Sequence, residues 1–372
     1  MLIGVPKETK VHEYRVGLTP ESVRELVARG HRVLVQRDAG AGIGAADADY
    51  AAAGGAVVAG AEEIFRQADL IVKVKEPLAQ ERAWLRAGQT LFTYLHLAAD
   101  AEQTRDLVKS GVIAIAYETV TSPEGTLPLL APMSVVAGRM AVQVAAHFLE
   151  RVHGGRGVLL AGATGVPPGR VLILGAGVVG SNAALIALGM GAEVVVLSNT
   201  AGQLERLKAE LGPRLKTGIS TPQAIAVELP GADAVIATAM VPGGLAPKLV
   251  TRPMLASMKQ GAVVVDVSID QGGCFETSRP TTHADPVFIV DGIIHYCVPN
   301  IPGAVPRTST YALIHATLPF VRELADRGVA RALTENEHLR NGLNVCRGAV
   351  TQREVAQARG YLYTEPLRAL GS

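Results

Sequence analysis

Cysteine is scarce, with only Cys274, Cys297 and Cys346 in 372 residues. So few and so scattered, they exclude a disulfide framework, and no Cys-x-x-Cys pair or Cys/His cluster suggests a structural zinc. An excess of either charge is also missing. Lys and Arg total 35 against 34 Asp and Glu, a formal charge of +1. Neither a nucleic acid nor an anionic membrane surface is therefore an expected partner. The N-terminal MLIGVPKETK has no long apolar run of the signal-peptide kind and turns charged by Lys7. A reducing, cytoplasmic setting is expected. One uncharged run, residues 171–192, has the 22-residue length of a membrane helix. Gly175, Gly177, Gly180, Gly189 and Gly191 interrupt it, as a strand, a tight turn and a buried helix would require.

What is present is ordinary globular composition, 48% hydrophobic and 19% charged. The length exceeds the roughly 250–300 residues that one core supports, so two domains are expected. Apolar segments at Leu2–Val5, Arg32–Gln36, Leu70–Val74, Thr90–Leu95 and Ile113–Tyr117 alternate with helical patterns. Thr19-Pro20-Glu21 has the form of an N-cap, an N1 proline and an acidic first turn. Residues 133–152 have the pattern of one long helix between Pro- and Gly-rich flanks. A second alternating stretch follows, with strands near 171–174, 193–197, 234–238, 263–267 and 295–298. Beyond NIPGAVPRTST (300–310) the tail is expected to be mostly helical. The expected class is α/β, with parallel sheets covered on both faces.

The strongest local motif is Gly175-Ala-Gly177-Val-Val-Gly180. VLIL precedes it, an apolar helical pattern follows, and EVVVL (193–197) supplies the next strand. In a dinucleotide-binding loop the first glycine makes the turn and the second lets the backbone reach the pyrophosphate. The third lets helix and strand pack closely, while the helix N-terminus stabilises phosphate charge. The second strand of such a unit normally ends in an acidic residue that bonds ribose hydroxyls. Here Ser198 stands there, which leaves NADP open, but no arginine follows before Arg206, so NAD is favoured.

Ligands gather at the carboxyl ends of parallel strands. Arg15 follows the first strand, Lys75 follows LIVKV and His96 follows LFTYL. A guanidinium and an ammonium suit a small carboxylate substrate, and an imidazole suits proton transfer near neutral pH. Asp270, after AVVVDV (262–267), is a second proton-transfer candidate; Asp266 is its rival, with a structural role the simpler account.

These residues lie within blocks that resemble the bacterial L-alanine dehydrogenase family along essentially the whole chain. The blocks include IGVPKETK and EYRVGLTP (3–20), VKVKEP (72–77), LFTYLHLAA (91–99), LPLLAPMS (127–134), DQGGCFETSRPTTH (270–283) and PGAVPRTSTYAL (302–313). The resemblance implies reversible oxidation of L-alanine to pyruvate and ammonium with a nicotinamide cofactor, and a homohexamer. It also implies two Rossmann-like doubly wound domains, the cofactor domain (131–306) inserted into a substrate domain built from 1–130 and 307–372. Arg15 and Lys75 would hold the substrate, and His96 and Asp270 would transfer protons. Ser134, Gly175, Gly177, Val178, Val179, Gly180, Ser198, Gln203, Ser220, Ala239 and Met240 would meet the cofactor. So would Val267, Ser268, Ile269, Asp270, Arg279, Val298, Pro299, Asn300 and Ile301. No metal enters this scheme. Val135, Ala163-Thr164 and Pro299 depart from the family pattern, at places expected to lie near the cofactor. Two alternatives share much of this pattern: a transhydrogenase-like nucleotide-binding subunit and a non-catalytic Rossmann sensor. The first is expected to lack the histidine and lysine that stand here as His96 and Lys75. An assay with alanine and NAD discriminates the second.

Overall fold

A computed structural model describes residues 1–239 and 245–371. The chain divides into two compact units, Met1–Met133 with Val305–Ser372, and Ser134–Ala304.

The first unit is built on a sheet of eight described strands. Their spatial order is Ala349–Val350, Leu343–Cys346, Ile113–Ala116, Thr90–Thr93, Leu70–Val72, Leu2–Val5, Arg32–Gln36 and Ala56–Val58. The six N-terminal strands run parallel and the last two in sequence are antiparallel. The tail is thus not simply helical: after the helix Pro306–Arg327 it returns two strands to the sheet edge. Leu343, Val345 and Cys346 are buried there, and so short an apolar run carries no helix/strand signature of its own.

Two strands stop earlier than their apolar runs do. Leu70–Val72 ends before Val74, and Thr90–Thr93 before Leu95. The N–H of Val74 is taken by the Glu8 carboxylate and that of Leu95 by Glu118. Side-chain carboxylates thus replace the sheet ladder where the chain leaves it. The first helix begins as the sequence suggests, with Thr19 accepting from the Ser22 N–H and Pro20 at its first position.

The second unit carries a sheet of seven described strands in the order Val287–Val290, Ile293–Tyr296, Val263–Asp266, Ala234–Ala237, Arg170–Leu174, Glu193–Ser198 and Leu215–Ile219. All neighbours are parallel except the edge pair Val287–Val290 and Ile293–Tyr296. Counted along the chain, the six parallel strands have the 3-2-1-4-5-6 order of a Rossmann sheet. The long helix spans Ala131–Phe148 and ends in a separate turn, Arg151–His153. It covers one face with Val142 and Ala145, joined by Leu149 just beyond its end, against Val171, Ile173 and Val194. Leu172, Val195, Val235 and Val264 turn to the other face and meet Ile225, Leu229 and Leu255. The run 171–192 is accordingly a buried strand followed by the helix Val178–Gly189. Among the described residues no helix is long and apolar enough to cross a membrane.

Candidate active site

In the first unit the strands that precede Arg15, Lys75 and His96 are neighbours in the sheet, with Arg15 in the loop beyond the first of them. Each residue is held by a carboxylate that the sequence pattern did not single out.

Arg15 is buried, at 2% exposure. Its Nε donates to Glu13 Oε1 at 2.7 Å and its Nη2 to Glu13 Oε2 at 2.5 Å, a bidentate pair. Nη1 lies 3.1 Å from Met133 Sδ. Arg15 is therefore not a solvated loop charge but a preset guanidinium.

Lys75 is half-buried. Its N–H donates to Glu8 Oε1 at 3.2 Å, shared with the N–H of Val74 at 2.7 Å, and its C=O accepts from Thr93 Oγ1 at 2.9 Å. The other Glu8 oxygen lies 3.3 Å from Lys73 Nζ, which also donates to Glu81 at 2.9 Å. Burial pushes the Glu8 carboxyl up, against the opposing pull of Lys73. Burial also disfavours the Lys73 charge, but Glu8 and Glu81 outweigh it and leave the ammonium above its ordinary range. Lys73 is thus the structural lysine of this strand, and Lys75 the one presented beyond it.

His96 has a half-exposed side chain and sits in the left-handed region at φ 51°. Such backbone is unfavourable for a non-glycine residue and persists only where its surroundings impose it. Glu118 imposes it here: its Oε1 accepts the His96 N–H at 2.6 Å, and both oxygens accept the Leu95 N–H at 3.2 Å. The same Oε1 is 3.8 Å from His96 Nδ1. The imidazole stacks on Tyr94 with an interplanar angle of 4°. The Tyr94 hydroxyl is buried, donates to the Leu129 carbonyl, and is held well above its usual pKa by desolvation.

In the second unit the glycine loop follows the first strand as its spacing predicts. Gly175 has φ 117°, and a Cβ there would lie 2.5 Å from Thr238 Oγ1. A Cβ on Gly180 would come 2.0 Å from the Gly175 carbonyl oxygen. Gly177 is different, because a Cβ on it would meet no atom of the described residues within 4 Å. Protein packing therefore demands the outer two glycines, while the middle one leaves space over the N-terminus of Val178–Gly189. That space suits a dinucleotide pyrophosphate. Val178 is exposed at this end. Gly138 packs so closely that its Cβ would lie 2.2 Å from the Val179 carbonyl oxygen. Ser134, one helical turn earlier, shares the face that approaches the loop.

Ser198 ends its strand at 4% exposure, and its Oγ accepts the Thr200 N–H at 3.3 Å. The Ser220 N–H donates to the Ser198 carbonyl at 3.0 Å, and Gln203 lies in the first turn of Ala201–Leu211. Ala239 follows the strand Ala234–Ala237 and accepts from Ser268 Oγ at 2.7 Å; Met240 lies outside the described residues. The side chains of Val298 and Ile301 belong to the core, with Val267 packed against it, so these positions present backbone. Asn300 is in the left-handed region at φ 62°, and its carbonyl lies 3.2 Å from His283 Nε2. Pro299 is half-buried between Val298 and Asn300. Arg279 is exposed, with its guanidinium 4.2 Å from the Phe288 ring centroid.

The two aspartates separate cleanly. Asp266 is buried and accepts from Ser268 N, Cys274 N, Phe275 N and Ser278 Oγ, which pins the loop 268–278. Burial raises its pKa against these bonds. Asp270 is exposed on the turn Ile269–Gln271 that this loop carries.

One expectation needs correcting. Ala163 and Thr164 sit on an exposed turn closed by Ala163 and Val166. The same loop bonds Gly169, just before the first strand, and approaches Gly191, just before the second. It therefore lies at the amino edge of the sheet, opposite the glycine loop. Sequence position relative to the motif says nothing about which edge a loop occupies.

The family model described as alanine dehydrogenase/PNT N-terminal domain matches residues 4–137, and the corresponding C-terminal domain model matches 141–353. An alanine dehydrogenase of Halomonas elongata is 57% identical over 371 residues, covering 100% of both chains. One from Mycobacterium tuberculosis is 51% identical over 370 residues, again covering 100% of both. A solved L-alanine dehydrogenase superposes with a TM-score of 0.93 at 49% identity, covering 96% of this chain and 99% of that one. A transhydrogenase from Sinorhizobium meliloti superposes with a TM-score of 0.81 at 29% identity, covering 95% and 99%. With both domains matched in order and relatives of this identity along its whole length, the chain belongs to the alanine dehydrogenase/PNT family.

Proposed function

We propose that the protein oxidises L-alanine reversibly to pyruvate and ammonium with NAD, in keeping with relatives that bear the name alanine dehydrogenase. The observation that carries this reading is the pair of carboxylate clamps. Glu8 holds the backbone of Lys75, and Glu118 holds that of His96, at adjacent strand ends. A transhydrogenase-like subunit or a silent sensor has no evident use for a lysine and a histidine so positioned.

Arg15, oriented by Glu13, takes the substrate carboxylate; the Met133 thioether now beside Nη1 is a weak acceptor that a carboxylate readily displaces. Lys75 bonds the carbonyl oxygen of pyruvate and shortens the reactive path by orienting it. His96 and Asp270 move the protons as water adds to the substrate carbon and ammonia leaves. A nicotinamide held there would supply the redox chemistry, as the acceptor of the alanine Cα hydride. Ser134, Gly177, the first turn of Val178–Gly189, Ser198, Gln203, Ser220, Ala239, Met240, Arg279 and residues 267–270 and 298–301 are the assigned cofactor contacts. NAD is preferred over NADP, and a cytoplasmic homohexamer is the assembly the family resemblance favours.

The decisive experiment is a crossed steady-state assay of alanine, serine and glycine, each with NAD and NADP, on wild type and His96→Ala. Alanine-dependent NADH formation that falls roughly 100-fold or more in the variant supports the assignment. No alanine oxidation in wild type would return the protein to the sensor or transhydrogenase-like alternatives.

A further inference from the structure

A second constellation of chemistry-bearing side chains lies away from the glycine loop, at the C-terminal end of the helix Ala131–Phe148. His147 Nδ1 is 3.8 Å from Glu150 Oε1, and His153 Nε2 is 3.7 Å from Glu150 Oε2. The two imidazole centroids are 4.0 Å apart, and ligand atoms of all three residues lie within 4.8 Å of one another. The spacing His-x-x-Glu-x-x-His holds no cysteine, so a search for Cys/His clusters passes over it.

The backbone under these side chains is fixed. Glu150 N donates to the His147 carbonyl at 3.2 Å, and His153 N and Gly155 N both donate to the Glu150 carbonyl at 3.1 Å. Gly155 sits so tightly that a Cβ on it would be 2.2 Å from the Phe148 carbonyl oxygen. The Phe148 ring packs edge-on against both imidazoles, at 5.0 and 5.7 Å. The side chains themselves stay accessible, with exposures of 52% for His147, 57% for Glu150 and 33% for His153.

A tetrahedral ion with bonds of about 2.0–2.1 Å to its ligands holds their atoms roughly 3.3–3.4 Å apart. Small rotations of exposed side chains therefore close this trio around an ion. The negative end of an 18-residue helix dipole favours a cation at the same place. Beside it opens a groove of about 610 Å³ lined by Gln143, His147, Glu150, Arg151, Leu159 and Met190. Water or a small anion reaches the ion from there.

We propose that His147, Glu150 and His153 form a binding site for a late first-row divalent ion such as Zn²⁺, Co²⁺ or Ni²⁺, with an open coordination position facing the groove. Two imidazoles and one carboxylate select such ions over Mg²⁺ and Ca²⁺, which take oxygen ligands. The site is independent of the alanine chemistry, so its test does not depend on that assignment.

The test uses the full chain stripped with chelator. Zn²⁺ is titrated against a chromophoric chelator in millimolar Mg²⁺, for wild type, Glu150→Gln and the double variant His147→Gln/His153→Gln. Wild type should hold one equivalent of Zn²⁺ per chain more than the double variant. Glu150→Gln should weaken that equivalent by about tenfold or more, at least the scale seen for altered outer-shell partners. All three side chains are at least partly exposed, on the last helical turn and the turn after it, so metal-free thermal melts should coincide; if the double variant melts early, His153→Gln alone replaces it. Equal stoichiometry in wild type and variant, or loss of the extra equivalent to Mg²⁺, overturns the proposal.

Discussion

The N–H of His96 donates to Glu118 at 2.6 Å while the imidazole of the same residue comes within 3.8 Å of that carboxylate. One side chain thus holds both the strained backbone and the ring of the proposed proton-transfer residue. Glu118→Ala removes the acceptor for two N–H groups and releases the φ 51° conformation. Turnover should fall by about 100-fold, the cost of misplacing a reacting group by roughly an ångström. Affinity for the dinucleotide, measured by fluorescence titration, should stay near wild type. Unchanged turnover would remove Glu118 as a positioning residue.

The glycine loop offers an internal control. Gly177→Ala adds a methyl that meets no atom of the described residues within 4 Å, whereas Gly180→Ala drives one to 2.0 Å from a backbone oxygen. The first variant should melt within about a degree or two of wild type and bind the dinucleotide poorly. The second should lose stability, on the scale of about 1–3 kcal/mol for overpacking. Calorimetry and ligand titration on both variants separate the effects; normal affinity in Gly177→Ala refutes the cradle.

Ser198 governs the third expectation. Its hydroxyl, buried and already accepting from Thr200, has neither the charge-assisted contact of a carboxylate to ribose nor its repulsion of a 2′-phosphate. Wild type should discriminate only weakly between NAD and NADP. Ser198→Asp should raise the NAD preference by roughly 10- to 150-fold, from the about 1.5–3 kcal/mol of a charged hydrogen bond. The measurement is kcat/KM for both cofactors with both proteins. Firm exclusion of NADP by wild type would show that other residues decide.

Asp326 ties the return helix Pro306–Arg327 to the start of the chain through Arg29 at 3.0 Å and His31 at 2.8 Å. These hydrogen bonds, Arg29 first, hold its pKa down to about 2 from an ordinary 3.8. A depressed folded pKa contributes stability above the unfolded value and loses it as pH falls through the folded one. The contribution should therefore disappear between pH 3.8 and about 2. Urea midpoints of wild type and Asp326→Asn should differ above this window, converge below it, and draw together in high salt. A gap that keeps its full size well below the folded pKa contradicts the ion-pair account.

Local pattern was enough for most of the architecture. Strands such as Leu2–Val5 and Arg32–Gln36 are buried apolar runs bounded by turn residues, and Thr19-Pro20 starts its helix by short-range chemistry alone. Gly175, Gly177 and Gly180 are legible for the same reason, since a tight strand-to-helix turn is specified within a few residues. What the sequence could not show are relationships between residues far apart along it. Glu8 reaches Val74 across 66 positions, Glu118 reaches His96 across 22, and Leu343–Cys346 finds Ile113–Ala116 only after the chain has returned. Edge strands such as Leu215–Ile219, with the sequence LKTGI, bury too little to show an apolar run. Spacing alone also left Asp266 and Asp270 open. The tertiary structure separates them, because four donors brought together by the loop 268–278 bind Asp266 and leave Asp270 exposed on its turn. Chain order sets which groups are available, while folding decides which carboxylates are consumed by backbone N–H groups and which stay presented for chemistry.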